Sequence, residues 1–167
     1  MSEIFTYVGK CGSGKTLTLR KIARKELTNE KSVLIIASEK FDLNPLDSGE
    51  LTIVYNDDIK HVIRAYEIIH NGELPEVVFI DKIELTMDEV SCVRNFRDRG
   101  VVFHLGVTSR RNVVQDVEIR TDLAFVSDVI YHVERSVNLQ GETGVVLVPV
   151  KSRKVEPRIV VIGGYND

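Results

Sequence analysis

The strongest structural signal in this sequence is a glycine-rich octapeptide, GKCGSGKT, at Gly9–Thr16. It follows a short β-prone run, Ile4–Val8, and leads into Leu17–Leu27, where apolar residues recur at the three- and four-residue steps of a helix with one buried face. Glycine lets the backbone take conformations that are closed to other residues, so a tight loop can join the two elements. The order of strand, glycine loop and helix predicts an α/β unit at the start of the chain.

Beyond this unit, apolar runs typical of buried parallel strands alternate with helical patterns. The next predicted strands are Ser32–Ala37, Leu51–Tyr55, Val77–Ile80 and Val101–Val107. The predicted helices between them run from a cap at Asp57 or Asp58 to a stop at Asn71–Gly72, and from a Thr86–Glu89 capping box to about Arg99, with Gly100 as the stop.

The remaining part of the chain is predicted to be mostly β structure. Asn112–Asp122 lacks a clear period and predicts a loop or a short irregular segment. Val129–Arg135 and Gly144–Val150 predict a pair of strands joined by a turn, and Arg158–Ile162 predicts a final strand. Strand–helix alternation followed by β structure predicts an α/β domain whose parallel sheet acquires antiparallel strands on one side.

Length and composition agree with one globular domain and exclude several classes of protein. The chain has 167 residues, 43% apolar and 28% charged, with a formal net charge of −3, which excludes a disordered chain and a polycation that wraps nucleic acid. Its two cysteines, Cys11 and Cys92, cannot build a disulfide framework, so a cytoplasmic location is expected. We expect no secretory signal, because Met1–Glu3 gives no positive segment before an apolar run, and no membrane span, because the apolar runs are short.

The octapeptide also fits the pattern G-x-x-x-x-G-K-[ST] of a phosphate-binding loop, in the required setting between a strand and a helix. Such a loop directs backbone N–H groups at a phosphate, close to the positive end of the following helix. The residues predicted to bind the triphosphate of a nucleotide are Gly9, Lys10, Cys11, Gly12, Ser13, Gly14, Lys15 and Thr16. Lys15 is expected to reach the β- and γ-phosphates and the Thr16 hydroxyl to ligate Mg²⁺, whereas Cys11 is expected to fill space.

Carboxylates at later strand ends complete the predicted chemistry. Asp81 follows the apolar run Val77–Ile80, and in phosphate-loop proteins a carboxylate at such a position holds Mg²⁺. Hydrolysis also needs a base that orients and deprotonates water. Two residues qualify: Glu39, just beyond Ser32–Ala37, and Glu84, which follows Asp81. Parallel strands bring their carboxyl ends to one crevice, so either glutamate can face the nucleotide.

Taken in order, these segments resemble the RecA-like family of ring-forming ATPases, and within it the core domains of DnaB-like helicases, RadA and KaiC-like proteins. The similarity extends from Gly9 to about Ile162. After the phosphate loop, Val33–Glu39 is similar to the family's strand that ends in the catalytic glutamate, and Val78–Asp81 is similar to its metal-binding strand. Gly106–Arg110 is similar to the sensor strand, Asp122–Glu134 to the segment with an aspartate-valine-isoleucine strand, and Val150–Arg153 to the finger hairpin.

The resemblance implies a P-loop NTPase with one RecA-like core domain over residues 1–167, whose central sheet is mostly parallel and flanked by helices. It implies that Glu39 rather than Glu84 is the base. It also implies that Lys151 and Arg153 stabilise the transition state on the nucleotide of a neighbouring subunit, in a homo-oligomeric ring or filament. The same two residues also fit a solvated basic hairpin.

The sensor of the γ-phosphate would be Thr108 or Ser109, by the same resemblance. The family further implies a DNA-dependent ATPase, acting as a helicase, translocase or recombination factor, with single-stranded DNA and replication or recombination proteins as partners. The basic residues that are candidates for DNA contact are Arg94, Arg97, Arg99, Arg110, Arg111 and Arg120, and Lys151, Arg153, Lys154 and Arg158.

Two alternatives to a DNA-dependent ATPase stay open. A small-molecule kinase of the phosphate-loop class fits the short chain. A non-catalytic ATP-binding assembly module is favoured by Arg110, because helicases of the family commonly have Gln after the sensor serine, and its replacement weakens the expected coupling of hydrolysis to DNA.

Overall fold

A central sheet runs through the molecule, and apolar side chains are buried on both of its faces. The structure is a computed structural model and describes residues 3–43, 49–55, 58–108, 121–152 and 160–162. The strands are β1 Ile4–Gly9, β2 Ser32–Ala37, β3 Glu50–Tyr55, β4 Val77–Asp81, β5 Val102–Thr108, β6 Val129–Val137, β7 Thr143–Ser152 and β8 Val160–Val161. Within the described residues they form one eight-stranded sheet in the order β3-β2-β4-β5-β1-β6-β7-β8.

The strand directions divide this sheet into two parts. Strands β1 to β6 are parallel to their neighbours. β7 returns antiparallel to β6, as two strands joined by a short turn must, and β8 is antiparallel to β7. The predicted α/β class, with a mostly parallel sheet and antiparallel C-terminal strands on one side, is confirmed.

Helices cover both faces of the sheet. They are α1 Lys15–Thr28, α2 Ile59–Ile69, α3 Met87–Asp98 and α4 Thr121–Val126. The predicted caps of α2 and α3 are present: the Asp58 side chain accepts from the N–H of Lys60, and Thr86 and Glu89 form a reciprocal capping box. No helix in the described part of the chain is both long and apolar enough to cross a bilayer.

Each face of the sheet has its own core because strand side chains alternate. In β2, Val33 and Ile35 pack with the buried residues of α1, whereas Leu34 and Ile36 pack with those of α2, α3 and α4. All four side chains are at most 1% exposed, and full burial of such a side chain contributes roughly 1.5–3 kcal/mol. The central strands therefore form a rigid support for the residues at their ends.

Two sequence predictions differ from the structure in the last third of the chain. The loop predicted over Asn112–Asp122 is wrong at its end, because Thr121 and Asp122 begin α4; residues 112–120 lie outside the described residues. α4 buries Leu123 and Val126 against α3, and this one apolar pair is too short to show a helical period. The final strand predicted over Arg158–Ile162 is confirmed for Val160 and Val161 (β8), but Ile162 lies beyond the strand, and residues 158 and 159 are not described.

Candidate functional site

The ends of the central parallel strands bring most of the predicted site residues to one edge of the sheet, which we call the carboxyl edge; the opposite side is the amino edge. The paired positions nearest the carboxyl edge are Gly9 with Thr108, Gly106 with Asp81, and Asp81 with Ala37. Glu39 lies two residues beyond the last of these. The crevice outside such strand ends is where open α/β sheets bind ligands.

The backbone of the glycine loop between β1 and α1 is suited to an anion. Gly12 and Gly14 have φ values of 78° and 107°, in the left-handed region that strains other residues. Gly14 is the N-cap of α1, so no side chain caps the first N–H groups of the helix. These groups carry the positive end of the helix dipole, which attracts phosphate. Cys11 is exposed in this loop, so the expectation that it fills space is wrong.

The loop packs tightly on its own residues and on the β6–β7 hairpin. A Cβ on Gly9 would lie 2.5 Å from Ser13 Oγ and 2.9 Å from the carbonyl oxygen of Val133. A Cβ on Gly14 would lie 2.7 Å from Cγ2 of Val145. Contacts this short leave no room for a side chain at either glycine, so the hairpin forms a wall of the loop.

Lys15 is buried and its ammonium turns back onto the loop. Nζ donates to the carbonyl oxygens of Gly9 and Lys10, at 2.8 and 2.6 Å. Burial lowers the pKa of Lys15, and the negative charge of Asp81 opposes that change. The ammonium is therefore held close to the loop backbone, with an acidic partner near it.

Thr16 and Asp81 meet beside the loop although they are 65 residues apart. Thr16 Oγ1 donates to Asp81 Oδ2 at 2.8 Å. Burial raises the pKa of Asp81, the hydrogen bond from Thr16 and the charge of Lys15 lower it, and the charge of Glu39 raises it; the net pKa is above the ordinary value. A cation bound at this carboxylate would remove much of the cost of burying its charge.

The chemistry of these side chains fits a phosphate and Mg²⁺. Ser13 Oγ is buried with no hydrogen-bond partner among the described residues, and a phosphate oxygen would satisfy it. Thr16 and Asp81 supply the oxygen ligands that Mg²⁺ prefers. The described residues contain no group of three or more His, Cys, Asp or Glu side chains that could hold a metal, and Mg²⁺ bound with phosphates needs only one or two protein ligands.

The two candidate bases, Glu39 and Glu84, are both exposed. Glu39 is near enough to Asp81 for its charge to raise the pKa of that carboxyl group. Ser38, the residue before Glu39, donates to the Asp81 carbonyl oxygen from its backbone N–H at 3.0 Å and from Oγ at 3.3 Å. These bonds tie the segment after β2 to the end of β4 and place Glu39 beside the Thr16–Asp81 pair.

The candidate sensor residues are described only in part. Thr108 ends β5 half-buried, and its N–H donates to the carbonyl oxygen of Ile83 at 3.1 Å. This bond joins the end of β5 to the segment that follows Asp81. Ser109, Arg110 and the predicted finger Arg153 lie outside the described residues.

Lys151 lies at the amino edge, where β6 begins, whereas the phosphate loop lies at the carboxyl edge, where β1 ends. Because β7 runs antiparallel, its last residues pair with the start of β6, and Lys151 is opposite Ile130. Its Nζ donates to the carbonyl oxygen of Ala124 in α4 at 2.6 Å. Within one chain Lys151 therefore lies away from the phosphate loop.

Arg135 is a site residue that the sequence reasoning missed. Its Nε donates to the carbonyl oxygen of Gly12, in the middle of the glycine loop, at 2.6 Å. The two residues are 123 positions apart, and an exposed residue on an alternating strand carries no signal of such a contact. Only the pairing of β6 with β1 brings them together.

Three of the arginines proposed for DNA contact are described, and two of them lie close to acidic side chains. Arg97 lies 3.4 Å from Asp98 and 3.6 Å from Asp128, and Arg99 pairs with Glu67. Arg94 is exposed. The pairs are those expected of ordinary solvated charge. The other candidates, Arg110, Arg111, Arg120, Arg153, Lys154 and Arg158, lie outside the described residues.

Comparison with known proteins adds no family to this description. No protein-family model matches the chain, and no curated protein matches it.

Proposed function

We propose that this chain is a Mg²⁺-dependent ATPase with a RecA-like core. The observation that carries the proposal is the 2.8 Å hydrogen bond between Thr16 Oγ1 and Asp81 Oδ2. Sequence motifs in two distant segments predict these residues as the protein ligands of one metal ion. Their contact beside the phosphate loop supports a single site for a metal-bound triphosphate.

Each residue of the site has one role in the proposed reaction. The loop N–H groups and Lys15 would bind the phosphates, and Thr16 and Asp81 would hold Mg²⁺, which would supply positive charge against the β- and γ-phosphates. Glu39, exposed beside Asp81, orients the attacking water and accepts its proton. Thr108, at the end of β5, would sense the γ-phosphate with Ser109.

The oligomeric and DNA-dependent parts of the proposal rest on the family resemblance and on the position of Lys151. A cation at the amino edge can complete a nucleotide site only if another copy brings its phosphate loop to that edge. We therefore propose a homo-oligomer in which Lys151 and Arg153 act in trans. Single-stranded DNA is the proposed activator, and replication or recombination proteins are proposed partners.

The test is ATP turnover with and without Mg²⁺ and single-stranded DNA, with the oligomer mass measured in the same samples. Wild type is expected to hydrolyse ATP only with Mg²⁺, faster with DNA, and as an oligomer. Asp81→Asn keeps an acceptor for Thr16 but removes the charge that holds the metal, so its turnover should fall about 100-fold or more. Asp98→Asn, at an exposed acid on α3, is the matched control and should behave as wild type.

Other results would assign a different function. ATP binding without turnover, with or without DNA, would favour the assembly module. Transfer of labelled phosphate to a nucleoside or nucleotide in an acceptor screen would favour the kinase. Failure of the wild type to bind ATP would contradict the whole proposal.

A further inference from the structure

The β6–β7 hairpin contacts the phosphate loop with one face. Arg135 and Val145 are opposite each other in the hairpin, so their side chains share a face. Val133 lies on the same face, two residues before Arg135, because strand side chains alternate. Val133 lies next to Gly9, and Arg135, roughly 7 Å further along the strand, reaches Gly12.

Arg135 and the loop itself fix the two ends of one peptide unit. The carbonyl oxygen of Gly12 accepts from Arg135 Nε at 2.6 Å, and the N–H of Ser13 donates to the Lys10 carbonyl oxygen at 3.1 Å. The peptide between Gly12 and Ser13 is planar, so its C=O and N–H point in opposite directions. Turning this peptide plane would break both hydrogen bonds, so they restrict it although Gly12 has no side chain to do so.

Two cationic side chains, Lys15 and Arg135, donate hydrogen bonds to different parts of the loop backbone. Lys15 holds its first half, through the carbonyl oxygens of Gly9 and Lys10. Arg135 holds its second half, through Gly12. An arginine guanidinium is a planar cation with five N–H donors. In the described part of the chain the one hydrogen bond of Arg135 is to this carbonyl.

We propose that Arg135 is a positioning residue that pre-organises the phosphate loop for the triphosphate, an inference that rests on the proposed ATPase function. Fixing the Gly12–Ser13 peptide sets the direction of the N–H groups that follow it, up to Thr16. A loop held in its binding conformation loses less conformational freedom when the ligand binds. Arg135 therefore acts on nucleotide affinity and leaves the chemical step to Lys15, Glu39 and the metal.

The experiment compares Arg135→Ala and Arg135→Lys with wild type and with Arg64→Ala, a control at an exposed arginine of α2. Three quantities are measured: the dissociation constant of MgATP, kcat and KM of hydrolysis, and hydrogen exchange of the amides of residues 13–16 without nucleotide. Thermal melting confirms that each variant is folded.

Arg135→Ala is expected to raise the dissociation constant and KM about 5- to 20-fold, the effect of one charge-assisted hydrogen bond at a partly solvated site. Its kcat should stay within about 2-fold of wild type, as for an interaction of equal strength in the ground and transition states. Amide exchange should be faster because the loop opens more often. Arg135→Lys should recover part of each change, and Arg64→Ala should match wild type.

Two results would overturn the inference. One is an Arg135→Ala variant whose amide exchange at residues 13–16 and whose MgATP dissociation constant both equal those of wild type. The other is a loss of kcat at unchanged KM, since Arg135 would then contact the transition state. If the wild type binds no ATP, the proposed function fails, and the exchange comparison alone decides whether Arg135 holds the loop.

Discussion

Each edge of the sheet holds a lysine that the sequence predicts to be catalytic. The two edges differ in how many of the other predicted site residues lie beside that lysine within one chain. At the carboxyl edge, Lys15 lies in the phosphate loop beside Thr16 and Asp81, whose side chains are 2.8 Å apart. At the amino edge, Lys151 is bonded to the Ala124 carbonyl oxygen, far from any described phosphate-loop residue of its own chain. The carboxyl edge therefore holds the described residues that we propose for the metal and the phosphates, whereas Lys151 could act on a nucleotide only in another copy.

The direction of the strands explains this difference. Parallel strands end at a common edge, so residues that follow β1, β2, β4 and β5 converge from distant parts of the sequence. β7 runs the other way, and the residues at its end lie where β6 begins. A motif at a strand end therefore indicates a shared site only when the direction of that strand is known.

The largest expected effect is at the carboxyl edge. Lys15→Ala removes the ammonium proposed to bind the phosphates, and ATP turnover should fall by at least about 100-fold. Lys25→Ala, an exposed lysine near the end of the same helix, is the matched control and should keep wild-type turnover. Turnover of Lys15→Ala within about 2-fold of wild type would mean that the loop is not the catalytic site.

The amino edge should show a smaller effect that depends on assembly. Lys151→Ala is expected to lower turnover only in the oligomer and to leave ATP affinity unchanged. Mixing it in equal amounts with Glu39→Gln should restore turnover to at most roughly a quarter of wild type, the share of interfaces that then have both residues in a randomly mixed ring.

Glu39→Gln alone and Lys151→Ala alone, each at the same total concentration, are the controls for this mixing experiment. If the mixture is no more active than the average of the two variants, Lys151 does not act in trans. The amino edge would then be an ordinary basic surface.

The two cysteines provide a milder test of nucleotide binding at the carboxyl edge. Cys11 is exposed in the phosphate loop, whereas Cys92 is buried in α3, where burial raises its thiol pKa to about 11. Iodoacetamide should therefore modify Cys11 first in the native protein, with the sites identified by mass spectrometry. ATP at about ten times its dissociation constant should slow that modification roughly tenfold. The unfolded protein, in which both cysteines react, is the control.

If ATP does not change the labelling of Cys11, the nucleotide does not bind at the phosphate loop. Loss of ATP protection in Lys15→Ala, with Cys11 still reactive, would link the protection to phosphate binding.

The smallest expected effect is on stability, at Asp81. Burial raises the folded-state pKa of this carboxyl above its unfolded value, so the protein loses stability as the pH rises through that raised pKa. Asn has no charge to bury, so without nucleotide or Mg²⁺ Asp81→Asn should melt about 2 °C higher than wild type at pH 7. The difference should vanish in acid, below the unfolded pKa of Asp. Melting curves across pH, with Asp98→Asn as control, test this, and a variant less stable than wild type at pH 7 would contradict it.

Local sequence patterns predicted the elements whose signals lie within a few residues. The Thr86–Glu89 capping box, the helix cap at Asp58 and the strands β2 and β4 are present in the structure because capping and burial patterns act over one turn or one strand. α4 was missed because its buried residues, Leu123 and Val126, form a single pair. The contact of Arg135 with Gly12 was missed for another reason, since it depends on which strands are neighbours.

By itself, the sequence of this protein determined the glycine loop, the strand–helix alternation and the residue types of the site, because each depends on neighbouring residues and their backbone preferences. Only the tertiary structure decided which of those residues meet. Strand order and direction placed Thr16 against Asp81, brought Arg135 to the loop and carried Lys151 to the far edge. Such placement depends on long-range pairing and packing, which no local pattern encodes.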